Sequence, residues 1–409
     1  MHKKICIYAK IAVLLHVFVC MSKRLLHIVY LLCAGLAMWS CADREAYTGK
    51  VESNAYAKGF VIEPQADYTV VKAFSPWQEG QTLATYYLVR SDSIATPKDG
   101  IRIRIPVQRM ALTSCTHVGF LMALDQQDVI YGICDPHIVY NQSALQPSDG
   151  HEVMNLGDAM TPDVERIMRA NPDAVMVSTY AQGDAATAKM CALGLPVIFN
   201  NEWTETHPLA RAEWIRFVGA FLDCLPQADS AFNAVAEEYK RLAVSGERLA
   251  VSDERLAVSD RDVNKRPTIM SGNNFRGTWY MPAGSTYMGV LFKDAGADYK
   301  FANDTSHFSI PLTIESVIAD FSEADVWVGC PARSLAELAQ MDARHTWFKA
   351  YKEGRVYNFL HRTTVSGGND FWETGVVHPE LILKDLRRVV TGYGLQETEE
   401  EFYFVEHLK

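Results

Sequence analysis

From Thr206 to Asp260 the apolar positions recur at helical spacing. Leu209, Ala212, Ile215, Val218 and Leu222 lie on one face, and Thr206 with Pro208 supplies a helix start. Pro226 interrupts. Ala228, Phe232, Val235, Tyr239 and Leu242 then recur at intervals of four, three, four and three, predicting a second amphipathic run. Arg-Leu-Ala-Val-Ser follows three times, at 241–245, 248–252 and 255–259, so that Leu242, Leu249 and Leu256 keep one heptad position with Val235. The whole stretch reads as a helical spine, with the repeat as a solvated extension of it.

Short apolar runs alternate with helical patterns on both sides. Before the spine, the strands 109–113, 129–133, 173–178 and 195–199 interleave with the helices 114–124, 161–170 and 185–193. After it, the strands 265–271, 325–328 and 354–358 interleave with helices beginning at Met288 and near Ile314. Strand–helix alternation of this kind predicts parallel sheets, whose ligands bind beyond the C-terminal strand ends. Residues 67–110 alternate with period two, and Pro76-Trp77-Gln78-Glu79-Gly80 sits between two such runs as a hairpin turn. The expected fold class is α/β: two Rossmann-like lobes joined by one long helix, with the binding cleft between them. The expected boundaries are 1–40 for a leader (1–20 as a spurious extension), 41–66 linker, 67–224 first lobe, 225–263 interlobe helix and 264–409 second lobe.

At 409 residues and 48% hydrophobic, the chain is long enough for two cores. Its net charge is −10, and the first 40 residues hold five Lys/Arg and no acid, leaving 34 basic against 49 acidic residues beyond them. So acidic a body excludes nucleic acid as a partner. Of nine cysteines, four fall in the first 41 residues, and the other five (Cys115, Cys134, Cys191, Cys224, Cys330) form no CxxC pair, so they read as packed thiols. Met21-Ser22-Lys23-Arg24, the apolar run 25–39 and Ser40-Cys41 are proportioned as a signal peptide. A cysteine at that place, followed by a polar stretch, resembles a bacterial lipoprotein processing site, making Cys41 the lipidation candidate; the bulky Trp39 departs from the usual small residues.

Gly157–Val175, with Glu165-Arg166-Ile167 and Asn171-Pro172-Asp173-Ala174-Val175, resembles the E-x-I-x-x-x-x-P-D-x-V segment of substrate-binding proteins for ferric siderophores, haem and cobalamin. Trp279-Tyr280-Met281-Pro282-Ala283-Gly284-Ser285-Thr286-Tyr287 and Gly296-Ala297-Asp298 resemble the same family's W-x-x-P-G-G-x-S-Y…D-A-G-G block, with Ala283 in place of its first glycine. Asn369–Glu373 and Gly375–Leu381 resemble its C-terminal signature. The resemblance spans about 105–395. It implies a periplasmic, class III, helical-backbone receptor, lipid-anchored to the envelope, working as a monomer with an ABC permease and its ATPase. It implies no catalysis and no cofactor; the ligand would be an iron or cobalt chelate.

The family docks one glutamate from each lobe into permease arginines, which assigns Glu165 and Glu315, both in a first helical turn where a carboxylate is dipole-stabilised. Loops at strand ends supply the ligand-binding candidates: Ser114, Thr116, His117, Asp135, Tyr180, Phe275, Trp279, Tyr280, Phe308 and Trp372, with His137 and Gln182 beside them. Aromatic walls suit a large flat ligand. Two alternatives stay open. One is a hydrolase using Cys115 as nucleophile and His117 as base. The other is a haem or metal-ion receptor with His117, Tyr180 or Tyr280 as ligands.

Overall fold

The computed structural model describes residues 54–243, 266–391 and 401–409. The leader, Cys41 and the repeat beyond Ala243 lie outside the described residues.

A four-stranded sheet comes first. Strands β1 (Phe60–Pro64), β2 (Thr69–Phe74) and β3 (Thr82–Val89) run antiparallel, and β4 (Ile101–Arg104) lies parallel to β3. The β2–β3 hairpin is the one the alternation predicts. Strand β1 falls where a linker was expected, and the expectation is corrected from residue 54 on. The reason is non-local: two buried carboxylates far along the chain capture the main chain ahead of β1. Glu213 accepts from the N–H groups of Ala55, Tyr56 and Ala57 at 2.7–2.8 Å, and Glu205 accepts from those of Lys58 and Gly59 at 2.9 and 2.8 Å. Arg216 neutralises Glu213 at 3.3 Å.

The first lobe is built on five parallel strands in the order β11-β10-β5-β6-β7. In chain order its elements are β5 (Met110–Leu112), α1 (Thr116–Ala123), β6 (Ile130–Ile133), β7 (Met154–Asn155), the ribbon β8 (Gly157–Asp158) and β9 (Thr161–Pro162), α2 (Val164–Ala170), β10 (Ala174–Val177), α3 (Ala185–Ala192) and β11 (Val197–Phe199). Both sheet faces are covered. Ala174 and Met176 join the main core, while Val175 and Val177 face Val164, Ile167 and Met190 on the other side. Helix α2 starts because the Asp163 carboxylate accepts from the N–H groups of Glu165 and Arg166, both at 3.1 Å, and it stops at Asn171, which takes the left-handed conformation.

The spine divides into α4 (Pro208–Phe221) and α5 (Leu225–Leu242). The break falls at Asp223, whose φ of 55° ends α4 and whose carboxylate meets Arg90 at 2.6 Å. Helix α4 is buried nearly all round, with Trp214, Phe217 and Phe221 against Phe60 and Tyr86 of the leading sheet. Helix α5 buries one stripe, Ala228, Phe232, Val235, Ala236, Tyr239 and Leu242, the face read from the sequence.

The second lobe holds β12 (Ile269–Ser271), β13 (Asn274–Phe275), β14 (Thr278–Met281), α6 (Tyr287–Asp294), β15 (Ile310–Leu312), α7 (Ile314–Phe321), β16 (Val326–Val328), α8 (Leu335–Met341), α9 (Lys349–Lys352), β17 (Val356–Asn358), α10 (Thr374–Val377), α11 (Pro379–Thr391) and β18 (Glu406–His407). Strands β12, β16 and β17 are parallel and β18 closes the edge antiparallel; β13-β14-β15 form a separate antiparallel sheet. Two hydrogen bonds fasten α5 to this lobe: Tyr239 donates to Asp294 at 2.7 Å and Arg387 donates to the Leu242 carbonyl at 2.6 Å.

Candidate functional site

The loops beyond β5, β10 and β11 gather Ser114, Cys115, Thr116, Ser178, Tyr180, Glu202 and Trp203. The hydroxyls of Ser114 and Thr116 lie 2.9 Å apart. His117, the second residue of α1, is fully buried, with Nε2 3.1 Å from the Ser178 hydroxyl. Burial pushes its pKa down to about 3, so the ring is neutral and faces the core. Neither ring nitrogen bonds Cys115: Nε2 meets Ser178, and Nδ1 has no hydrogen-bond partner among the described residues. Burial, then the nearby Glu373 and Glu202 carboxylates, push that thiol up to about 12, the opposite of an activated nucleophile. His117 is therefore withdrawn as a cleft residue, and the Cys115/His117 pair is no nucleophile and base.

Glu202, which sequence reading missed, is the most unusual group at this rim. It is 1% exposed, and burial pushes its pKa up to about 7 against the opposing pull of the Thr116 hydroxyl and Arg211. Its Oε2 and the indole N–H of Trp203 have no hydrogen-bond partner among the described residues. The half-exposed Tyr180 ring lies over Trp203 with centroids 5.4 Å apart. The only signal in the sequence is position, directly past a strand end. Asp135 sits in a left-handed turn (φ 48°) and accepts from Ala159 N–H at 2.9 Å, so one of its oxygens is spent on the loop.

In the second lobe the small sheet sorts the aromatics by register. Phe275 pairs with Thr278, and Tyr280 follows two residues on, so both occupy one face; Trp279 points the other way. Trp279 is fully buried, its N–H donating to the Ser271 carbonyl at 2.9 Å and its ring packed near Trp327 and Phe348. It is a core residue and not the expected ligand wall. Tyr180, Phe275, Tyr280, Phe308 and Trp372 are all between 46% and 79% exposed. Arg276 stacks over Phe275 at 5.2 Å.

Trp372 stands where the lobes touch. Next to it, the fully buried Glu373 accepts hydrogen bonds from the main-chain N–H groups of Tyr140 and Asn141 and from the Asn141 side chain in the first lobe. Asp370, also buried, pairs with Arg362 at 2.6 Å, and Arg362 lies over the Tyr140 ring at 5.1 Å. Gly119 of α1 comes so close that a Cβ there would lie 2.3 Å from the Glu373 carbonyl oxygen. On the helical side, Arg211 of α4 stacks on Tyr287 of α6 at 4.3 Å.

Glu165 and Glu315 stand exposed in the first turns of α2 and α7. Glu315 is 3.2 Å from Arg344, which is held closer by Asp342 at 2.7 Å. Among the described residues no group of three or more His, Cys, Asp or Glu is arranged to hold a metal ion, and no helix is long and apolar enough to cross a membrane.

Two lobes, each built on a parallel-stranded sheet, define a two-lobed α/β protein. The family model described as Periplasmic binding protein matches residues 111–360, and the chain belongs to that family of ABC-transporter substrate-binding proteins. It is 22% identical over 315 residues to an uncharacterised lipoprotein of Methanocaldococcus jannaschii, covering 74% of this chain and 69% of that one. In fold it is similar to a periplasmic binding protein from Veillonella parvula (TM-score 0.52, 15% identity, 82% of this chain and 98% of that one). It is also similar to the periplasmic heme-binding protein RhuT from Roseiflexus sp. RS-1 (TM-score 0.51, 18% identity, 70% and 99%). Proteins of this family bind small ligands and work with an ABC permease and ATPase.

Proposed function

We propose that this chain is a lipid-anchored receptor, held at the envelope membrane through Cys41, that captures a metal chelate and delivers it to an inner-membrane ABC permease without chemistry on the ligand. The observation that carries this reading is the set of five exposed aromatics, Tyr180, Phe275, Tyr280, Phe308 and Trp372, at strand ends and loops of both lobes. Large rings left exposed cost solvation unless a flat apolar partner covers them. The charges nearby favour one kind of chelate. Glu202, Glu373 and Asp135 surround the first-lobe loop, and Arg276 is the nearest cation on the aromatic face. A bare ferric catecholate, strongly anionic, needs a basic cleft. A cobalamin-like or haem-like macrocycle, whose charge is small or confined to one edge, needs flat apolar walls and a few polar tips. Tyr180 and Tyr280 are the phenols available to a haem iron, since His117 is buried. Glu165 and Glu315 are the surface acids for permease arginines.

Native mass spectrometry and visible absorbance on protein taken from its own cells test this reading. A bound mass with a corrinoid or porphyrin spectrum supports it. A colourless protein carrying an organic ligand without metal would overturn it.

A further inference from the structure

Two of the large apolar side chains exposed outside the ligand candidates stand beside the acids proposed for docking. In the first lobe Met168 follows Glu165 by three residues on α2, so the two are neighbours on one helix face, and Met168 is 47% exposed. In the second lobe the neighbour of Glu315 is Arg344, 3.2 Å away. Arg344 lies in the 3-10 turn Ala343–Trp347, where side chains three apart eclipse, so Trp347 stands in line with it, 55% exposed. The turn is braced. His345 and Phe348, two residues before Trp347 and one after it, are buried, with ring centroids 5.3–6.1 Å from those of Trp279 and Trp327. Asp342 holds Arg344 at 2.7 Å.

We propose that Met168 and Trp347 are the apolar anchors of the permease-docking face, so that the permease sets an apolar hollow beside each arginine that meets Glu165 or Glu315. This rests on the docking role proposed for those two acids. A lone exposed apolar side chain is ordinary, but here the pairing with an acid recurs on both lobes. Charge complementarity names the occupant. An acid beside each anchor suits a basic protein surface, whereas an anionic membrane would be repelled and a second copy would set acid against acid. The lobes differ in kind. In the first, Arg166 is held by Asp163 at 3.1 Å, and Glu165 makes no ion pair among the described residues. In the second, Arg344 already half-neutralises Glu315, so charge draws the partner less, and the larger anchor stands at that end. Tryptophan on a fixed backbone loses little freedom on binding, which makes Trp347 the stronger of the two. Met168 adapts to the surface it meets.

Surface plasmon resonance of the whole protein against its ABC permease–ATPase complex in lipid nanodiscs tests the face, with empty nanodiscs as the reference. Trp347→Ala should weaken the complex at least about tenfold, chiefly through faster dissociation, and Met168→Ala at least about threefold. Both losses should be the same at about 0.1 and about 0.5 M salt, whereas the double variant Glu165→Lys, Glu315→Lys should slow association. Trp347→Phe should recover most of the affinity, and the denaturant midpoints of all three single variants should match the parent, because both side chains are half exposed. Alanine variants that bind as the parent does, beside a double variant that fails, would overturn the anchors and keep the docking acids. The reverse pattern would uphold the anchors and end the acids' role. Equal binding to empty nanodiscs would give the face to lipid, and a dimer in sedimentation that Trp347→Ala dissolves would give it to a second copy; either would overturn the assignment.

Discussion

The Oε2 atom of Glu373 in the second lobe lies 3.0 Å from the main-chain nitrogen and 2.9 Å from the side-chain nitrogen of Asn141 in the first. Its other oxygen accepts from the Tyr140 N–H. One buried carboxylate thus satisfies three donors across the lobe junction. Glu373→Ala leaves those donors unpaired, which costs on the order of 2–4 kcal/mol. Chemical denaturation should show that loss, and small-angle scattering should show a larger radius of gyration for the folded variant. An unchanged radius would mean that the helices alone hold the lobes together.

The same junction makes Gly119 a steric sentinel. A methyl group there meets Glu373 main chain rather than a flexible side-chain tip. Gly119→Ala should destabilise the protein by about 1–3 kcal/mol, as overpacking does, although alanine improves helix propensity. A neutral or stabilising result in thermal unfolding would contradict the close approach.

Trp279 and Trp372 should respond in opposite ways. Trp279→Ala removes a fully buried ring and should cost about 3–5 kcal/mol of stability. Trp372→Ala removes a half-exposed ring and should leave stability within about 1 kcal/mol while weakening the chelate by on the order of 1–3 kcal/mol. Denaturant midpoints measured beside ligand titrations separate the two effects.

Glu202 gives the pH dependence a sign. Its pKa in the fold is raised from 4.5 to about 7, chiefly by burial. Between these values the folded state holds a proton that the unfolded state has lost. Its contribution to stability is therefore full below about pH 4.5 and is lost as pH rises through about 7. Glu202→Gln should flatten that fall without changing the profile above pH 8. Unfolding free energies measured from pH 4 to 8 check it, and parallel profiles for the two proteins would exclude Glu202 as the source.

Docking is testable apart from ligand binding. The double variant Glu165→Lys, Glu315→Lys should bind the chelate normally and fail to stimulate the transporter ATPase, because it places like charges against permease arginines. Losing the exposed Glu315–Arg344 pair should cost at most about 1 kcal/mol of stability. Full stimulation by the double variant would end the docking role.

Period and spacing carried much of the fold. The parallel strands from Met110 and from Ile269 and the buried stripe on α5 are local features, and each was legible; the helix expected from Thr161 starts instead at Val164, behind its Asp163 cap. Strand β1 was not, since its entry is fixed by Glu205 and Glu213, about 150 residues away. The site was legible in part. Tyr180, Phe275, Tyr280, Phe308 and Trp372 are exposed, whereas Trp279, expected at the ligand, is buried because a one-residue change of register in β14 exchanges faces. His117 looked like a loop residue, but it falls inside α1 on its core side. Glu202 gave no warning, because an acid past a strand end looks solvated until the fold covers it.

The most direct measurement of the central claim is a calorimetric titration of the purified protein, with tryptophan fluorescence in parallel, against cobalamin, haemin and a ferric catecholate siderophore. Saturable binding and a fluorescence change are expected with a macrocycle, weakened in Trp372→Ala, with little response to the siderophore. Tight siderophore binding with no response to either macrocycle would contradict it.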